Sequence, residues 1–299
     1  MRKIVKIAGL VIVSVAVLVA VAAYAASMLA DRKAQRVVDV SVAPLLFRSD
    51  EESLRRGAYL YNSRGCMECH GANGQGRAFI DDPNGLYVKS PNIASDGVTK
   101  NYTEQDWVRT IRHGIKPSGR PLLIMPSEDY ARLTDEDLAS IVAYARSLPA
   151  TQGGPGQVRL PLIVKALYTF GVIKDAAEKI DHTLPAPQPI AAAATSKYGA
   201  YVANACIGCH GPGFSGGKIP GGPPDWPPAA NLTPGAESVM PRYDTPAKFI
   251  AMMHTGKRPD GSVVSPVMPF AGFKVMNETD LAAVYAYLQT LPPQPHGSR

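Results

Sequence analysis

The chain is short of cysteine, with four in 299 residues, and none stands alone: all fall in CMECHG at 66–71 and CIGCHG at 206–211. A basic stripe is also missing. Of the formal net charge of +6, residues 1–47 carry six Lys/Arg against two Asp/Glu, residues 48–150 carry 13 against 14, residues 151–195 carry 4 against 3, and residues 196–299 carry 8 against 6. Most of the excess belongs to the N-terminal tail, and no nucleic-acid-binding surface is expected. Charge is absent altogether from Ile7 to Ala30, a run of 24 residues. At about 1.5 Å per residue that run is long enough to cross a hydrocarbon core of about 30 Å. A cleaved signal peptide normally has an apolar stretch of about 7 to 15 residues, so an uncleaved anchor is expected, with AYAAS at 23–27 as the rival cleavage site. Arg2, Lys3 and Lys6 precede the run and Arg32, Lys33 and Arg36 follow it, so counting positive charges does not orient it.

What the cysteines have is company. Two cysteines three apart at the start of a helical turn face one side, and a histidine four positions after the first joins them there. A porphyrin with two vinyl groups can be stitched to both thiols while the imidazole reaches the iron, which is why Cys-x-x-Cys-His reads as c-type haem attachment. The thiols are Cys66, Cys69, Cys206 and Cys209, and the proximal ligands His70 and His210. Gly71 and Gly211 have no Cβ, which lets the backbone after each ligand lie close to the ring. Two readings compete and fit less well. A four-cysteine zinc site would have to span about 140 residues and would leave both histidines unexplained. A thioredoxin-type dithiol needs a βαβ context, and both motifs run instead into loops rich in glycine and proline.

The two halves of the chain match beyond the motif. GAYLYNSRGCMECHG faces GAYVANACIGCHG, PNIASDG faces ANLTPG, and DWVRTIRHGIKPSG faces KFIAMMHTGKRPDG. IMPSEDYARLTDEDLASIVAYARSLP then faces VMPFAGFKVMNETDLAAVYAYLQTLP. Thr103 and Thr245 are expected to cap the middle helices, with Pro246 at the first helical position of the second. The final helices carry Leu138, Ile141, Ala145 and Leu148 on one stripe and Leu281, Val284, Leu288 and Leu291 on the other. Thr134 and Asn277 are their expected caps, with Asp137 and Asp280 at the third position; Pro149 and Pro292 stop them. Gly57 with Tyr144, and Gly199 with Tyr287, point to close crossing of the first and last helix of each half.

On these residues each half resembles a cytochrome c domain, over roughly 48–150 and 196–299, and the chain resembles the membrane-anchored dihaem members of that family. The resemblance implies an all-α fold: two cytochrome c domains in tandem, each a few helices around a covalent haem c. The expected layout is a cytoplasmic N-terminus at 1–6, an anchor at 7–30, a juxtamembrane linker at 31–47, the first domain at 48–150, a linker at 151–195 and the second domain at 196–299. It also implies attachment of both haems outside the bacterial cytoplasmic membrane, so that the bulk faces the periplasm. Expected partners are the membrane and redox proteins that give and take electrons: a membrane dehydrogenase, a quinol-oxidising complex or a terminal oxidase. A haem enzyme, such as a dihaem peroxidase or a sulfur-compound dehydrogenase, is the rival class. A haem sensor lacks an output domain in what remains of the chain.

The second axial ligand separates a wire from a catalyst. Methionine opposite histidine gives a six-coordinate iron with a raised potential, suited to single electrons. Met125 and Met268 each precede a proline and each lies 13 residues before the leucine that opens the last helix. The resemblance places the distal ligand at this same methionine, so Met125 and Met268 are the expected ligands of the first and second iron. His113 aligns with Thr255 and His254 with Arg112, so neither carries a role shared by both halves. Asn92 and Asn231 recur, either at the haem edge or as turn residues. In the linker, LPLIVKALYTFGVIKDAAEKI needs cover; packing between the two cytochrome units is expected ahead of resting on the membrane surface. His182, beside it, is expected to be bland. IPGGPPDWPPAANL at 219–232 is expected to be an ordered pocket loop, with Trp226 a candidate cover for the haem edge.

Overall fold

The computed structural model describes residues 2–220, 222, 223 and 225–299; Met1, and Gly221 and Pro224 of the proline-rich stretch, lie outside the described residues. In chain order the elements are α1 (Arg2–Ala34), α2 (Glu51–Ser63), α3 (Cys66–His70), β1 (Ala78–Asp81), β2 (Tyr87–Lys89), α4 (Glu104–His113), α5 (Ser127–Tyr130) and α6 (Asp135–Ser147). There follow β3 (Gln157–Arg159), α7 (Leu162–Thr169), α8 (Ala176–Lys179), α9 (Ser196–Val202), a 3-10 turn at Ala203–Cys206, α10 (Ile207–His210), α11 (Pro246–Thr255), α12 (Phe270–Phe273) and α13 (Glu278–Leu288). α1 is long and apolar enough to cross a membrane.

Side-chain chemistry sets these helices. The hydroxyl of Thr103 accepts from Asp106 N in a full capping box, Thr245 caps α11 ahead of Pro246, and Thr134 and Asn277 accept from the amides of Asp137 and Asp280. In each half the first helix crosses the last so closely that a Cβ at Gly57 would lie 1.9 Å from Ser140 O, and one at Gly199 1.8 Å from Ala283 O. No side chain fits there. Leu138, Ile141, Ala145, Leu281, Val284 and Leu288 bury their stripe in the crossing, each large side chain contributing about 1.5–3 kcal/mol.

A feature the sequence reading did not foresee joins the halves. Tyr59 and Tyr201, equivalent residues of the repeat, cross to the opposite half. The Tyr59 hydroxyl donates to Asp280 Oδ2 at 2.8 Å and accepts from Asn277 N at 3.2 Å; the Tyr201 hydroxyl donates to Asp137 Oδ2 at 2.6 Å and accepts from Thr134 N at 3.3 Å. Each tyrosine thus inserts into the other half's helix start, between the cap residue and the acid three positions on, where the two would otherwise close a capping box. The contacts obey an internal two-fold relation, as in an isologous dimer, within one chain. A second pair of contacts follows the same relation. A Cβ at Gly208 would meet Asp129 Oδ2 at 3.0 Å, and at the equivalent contact one at Gly272 would meet Asn62 O at 2.9 Å and Glu68 Oε1 at 3.7 Å. The turn after each Met-Pro therefore packs on the Cys-x-x-Cys segment of the other half, glycine against acid both times.

One expectation gains a detail and one needs correction. The fold is mostly helical but holds one small antiparallel sheet, β1-β2-β3, with Tyr87 facing Arg159, Val88 facing Val158 and Lys89 facing Gln157. Its strands are too short to show alternation, and β3 comes from the linker. The apolar linker segment does not fill the space between the two halves: its helix α7 packs along α1.

Candidate functional site

Both Cys-x-x-Cys-His segments form a short helical turn whose end is fixed by glycine. Gly71 (φ 77°, ψ 163°) and Gly211 (φ 80°, ψ 161°) adopt a conformation nearly closed to other residues. The backbone then folds back: Gly76 N donates to His70 O at 2.8 Å and Gly216 N to His210 O at 2.9 Å. The two imidazoles have the same setting. His70 Nδ1 lies 3.1 Å from Pro91 O and His210 Nδ1 lies 2.8 Å from Ala230 O, and Pro91 and Ala230 are equivalent positions. An Nδ1–H donated to a carbonyl leaves Nε2 with its lone pair, the tautomer a metal-ligating histidine requires. Burial lowers both histidines' pKa, favouring neutral rings.

Asn92 and Asn231 hold those carbonyls in place. Asn92 Oδ1 accepts from Ala94 N at 2.8 Å while its amide donates to Thr151 O at 3.1 Å; Asn231 Oδ1 accepts from Thr233 N at 2.9 Å while its amide donates to Gln294 O at 2.7 Å. Both asparagines are buried. They are turn residues with a purpose, pinning the loop beside the histidine to the chain leaving the last helix.

All four cysteines are free and half-buried. Desolvation pushes the Cys66 and Cys206 thiols up to about 12, and Cys69 and Cys209 upward as well. A dithiol redox centre needs the opposite shift, a stabilised thiolate. Among the described residues no group of three or more His, Cys, Asp and Glu is placed to hold a metal ion, which counts against the zinc reading. A covalently tethered haem suits what is present: two unpaired thiols and a neutral imidazole on one turn, twice over. In the first half the Trp107 indole Nε1 is also buried without an acceptor among the described residues, leaving a donor for a bound group.

Met125 and Met268 are half-buried against the main core. Their backbone settings coincide: Ser127 N donates to Met125 O and Phe270 N to Met268 O, both at 2.8 Å, and Pro126 (φ −78°, ψ 63°) matches Pro269 (φ −78°, ψ 70°). The remaining histidines have other work. His254 Nε2 donates to Met276 O at 2.9 Å, the task Arg112 performs on the equivalent Leu133 O. His113 Nδ1 lies 3.0 Å from Nδ1 of His182, whose Nε2 bonds Ala177 O, so His182 is less bland than its sequence suggests. Trp226 is 41% exposed.

Burial, then the facing His182, pulls His113 down to about 4, below its unfolded value of about 6.5. The unfolded chain therefore takes up a proton that the folded one refuses, and stability falls as pH drops through that window. Denaturant midpoints between pH 7 and 4.5 should fall, and His113→Phe should fall less steeply.

Comparison with known proteins agrees with this geometry. Residues 52–144 match the family described as cytochrome c oxidase, cbb3-type, subunit III, and residues 197–292 match cytochrome c. Two cytochrome c domains stand in tandem in this chain. They fit two covalent haem c groups. Among the chain's relatives, the fructose dehydrogenase cytochrome subunit of Gluconobacter japonicus is 34% identical over 136 residues, covering 42% of this chain and 27% of its own. The alcohol dehydrogenase (quinone) cytochrome c subunit of Gluconobacter oxydans (strain 621H) is 24% identical over 285 residues, covering 83% of this chain and 57% of its own. The gluconate 2-dehydrogenase cytochrome c subunit of Pantoea cypripedii is 31% identical over 105 residues, covering 32% and 23%. The chain thus spans between about a quarter and somewhat over half of these relatives' lengths.

Proposed function

We propose that this chain is a dihaem electron carrier, tethered by α1 to the bacterial cytoplasmic membrane with its cytochrome domains, 48–150 and 196–299, in the periplasm, and that it takes electrons from a membrane dehydrogenase and passes them to an acceptor of the respiratory chain. Cys66 and Cys69 hold the first haem with His70 and Met125 as iron ligands; Cys206 and Cys209 hold the second with His210 and Met268. The observation that carries the reading is the doubled imidazole setting, Nδ1 bonded to Pro91 O and to Ala230 O. Bound haem supplies a one-electron couple. The chain orients the imidazoles, offers a thioether from a proline-fixed backbone, and needs no substrate pocket. Because α5 packs on the turn before α10, and α12 on α2 and α3, the two haem-bearing turns belong to one interface, which suits passage between sites.

The named relatives are cytochrome subunits of dehydrogenases, which supports a dehydrogenase as donor. Mild-detergent isolation from native membranes should bring down a flavin- or quinone-cofactor subunit whose substrate reduces the cytochrome. Substrate turnover by the cytochrome alone would contradict the carrier role.

A further inference from the structure

The linker helix α7 and the turn that follows it carry large apolar side chains that nothing among the described residues covers. Ile163, Phe170 and Val172 are 71%, 76% and 70% exposed, and Leu162 is 49% exposed. The opposite side of the same segment is fastened to the C-terminal part of α1, from Ala26 to Lys33. Thr169 Oγ1 donates to Ala26 O at 3.0 Å, Lys165 Nζ to Ser27 Oγ at 3.1 Å and to Asp31 Oδ2 at 2.9 Å, and Lys33 Nζ to Tyr168 O at 2.9 Å. Just beyond, Arg36 forks onto the buried Asp175 at 2.6 and 3.0 Å, and Tyr168 donates to the same carboxylate at 2.6 Å. Burial would raise Asp175, but the Arg36 and Tyr168 contacts outweigh it and hold the carboxyl low. Ala26 and Ala30 are buried in an α1 otherwise largely exposed, with half-buried Ala23 and Ser27 on the same face; their small side chains let α7 come close.

The tied stretch begins where α1 would leave a bilayer. A hydrocarbon core of about 30 Å takes about 20 residues of helix, and from Ile7 that count ends near Ala26. We propose that residues 162–172 form a second membrane contact, with Leu162, Ile163, Phe170 and Val172 in the boundary between headgroups and acyl chains of the bilayer α1 crosses. The occupant of this apolar face is lipid. The inference rests on the reading of α1 as a membrane span. The division of charge fits it: the polar ties, Lys165 to Asp31, Lys33 to Glu178 and Arg36 to Asp175, gather toward the outer end of α1, while the exposed side is apolar, the two-sided composition of a segment at a membrane boundary. The contact would also set how the first cytochrome domain stands on the membrane. β3 joins that domain's sheet and enters α7 after one turnless step through Leu160 and Pro161, and Val38 N bonds Gly119 O at 2.9 Å on the other side.

The test uses the full-length holoprotein in lipid nanodiscs, its native cysteines engaged by haem, with single nitroxide labels at Ile163→Cys, Phe170→Cys, Leu18→Cys and Val263→Cys. Collision with oxygen relative to a water-soluble nickel chelate reports lipid exposure. Labels at 163 and 170 should fall between the label at 18, near the bilayer centre, and the label at 263 in the second domain, and several-fold above the latter. If 18 lies in lipid and 163 and 170 match 263, the second contact is wrong and the anchor stands. If 18 itself lies in water, the anchor reading falls and takes this one with it.

Discussion

Asp280→Ala should cost the folded protein about 3–5 kcal/mol, the usual penalty for stripping the partner from a buried charge. Asp280 sits at the centre of the two-domain interface. Its Oδ2 takes Arg64 at 2.9 Å and Tyr59 at 2.8 Å from the first domain, and its Oδ1 takes Tyr198 at 2.8 Å from its own. The side chains of Arg64 and Asp280 are 5% and 1% exposed, so water cannot replace what the mutation removes. Burial alone would raise the Asp280 carboxyl, yet Arg64 and the two hydroxyls hold it low, which shows how fully its charge is met. Asp137→Ala, at the equivalent position, should lose less because its arginine, Arg56, is 31% exposed. Denaturant unfolding of the holoprotein reads both. Adding Arg64→Met to Asp280→Ala should recover part of the loss by removing the stranded guanidinium; no recovery would mean that the charge is not what the carboxylate serves.

Met125→Ala and Met268→Ala should each open one iron. The parent protein, reduced, should bind no carbon monoxide rapidly. Each single variant should bind one equivalent and the double variant two. Losing the thioether also lowers the reduction potential of the affected haem. The matched settings of Met-Pro at 125–126 and 268–269 motivate the expectation that both sites respond alike. A parent protein that binds carbon monoxide at either site would favour an open-site haem enzyme, and a variant that still binds none would move the ligand elsewhere.

Much of this was written in the sequence because the repeat prints every shared requirement twice. The Cys-x-x-Cys-His turns and the caps at Thr103, Thr134, Thr245 and Asn277 are local rules, the Gly57 and Gly199 crossings are long-range contacts that the repeat marks twice, and each holds in the structure. What was not legible joins residues far apart in the chain that have no counterpart in the other half. β3 pairs with β2 across the first domain's length, α7 lies on α1, and His113 meets His182; no period or spacing announces such meetings. The domain interface did leave a trace. Tyr59 and Tyr201 recur in the shared Gly-Ala-Tyr, and Asp137 and Asp280 recur at the last helices. Asp137 and Asp280 suggested closed capping boxes, whereas the structure gives each carboxylate a tyrosine from the other domain. Repeated polar residues that neither bind the cofactor nor fill the core are the signal that two copies face each other.

Two irons held through thioethers underlie the electron-carrier role, and a pyridine haemochrome assay on purified full-length protein before and after acid-acetone extraction tests them most directly. The expected result is two c-type haems per chain, both retained by the polypeptide. Porphyrin that extracts, or zinc in its place, would contradict it.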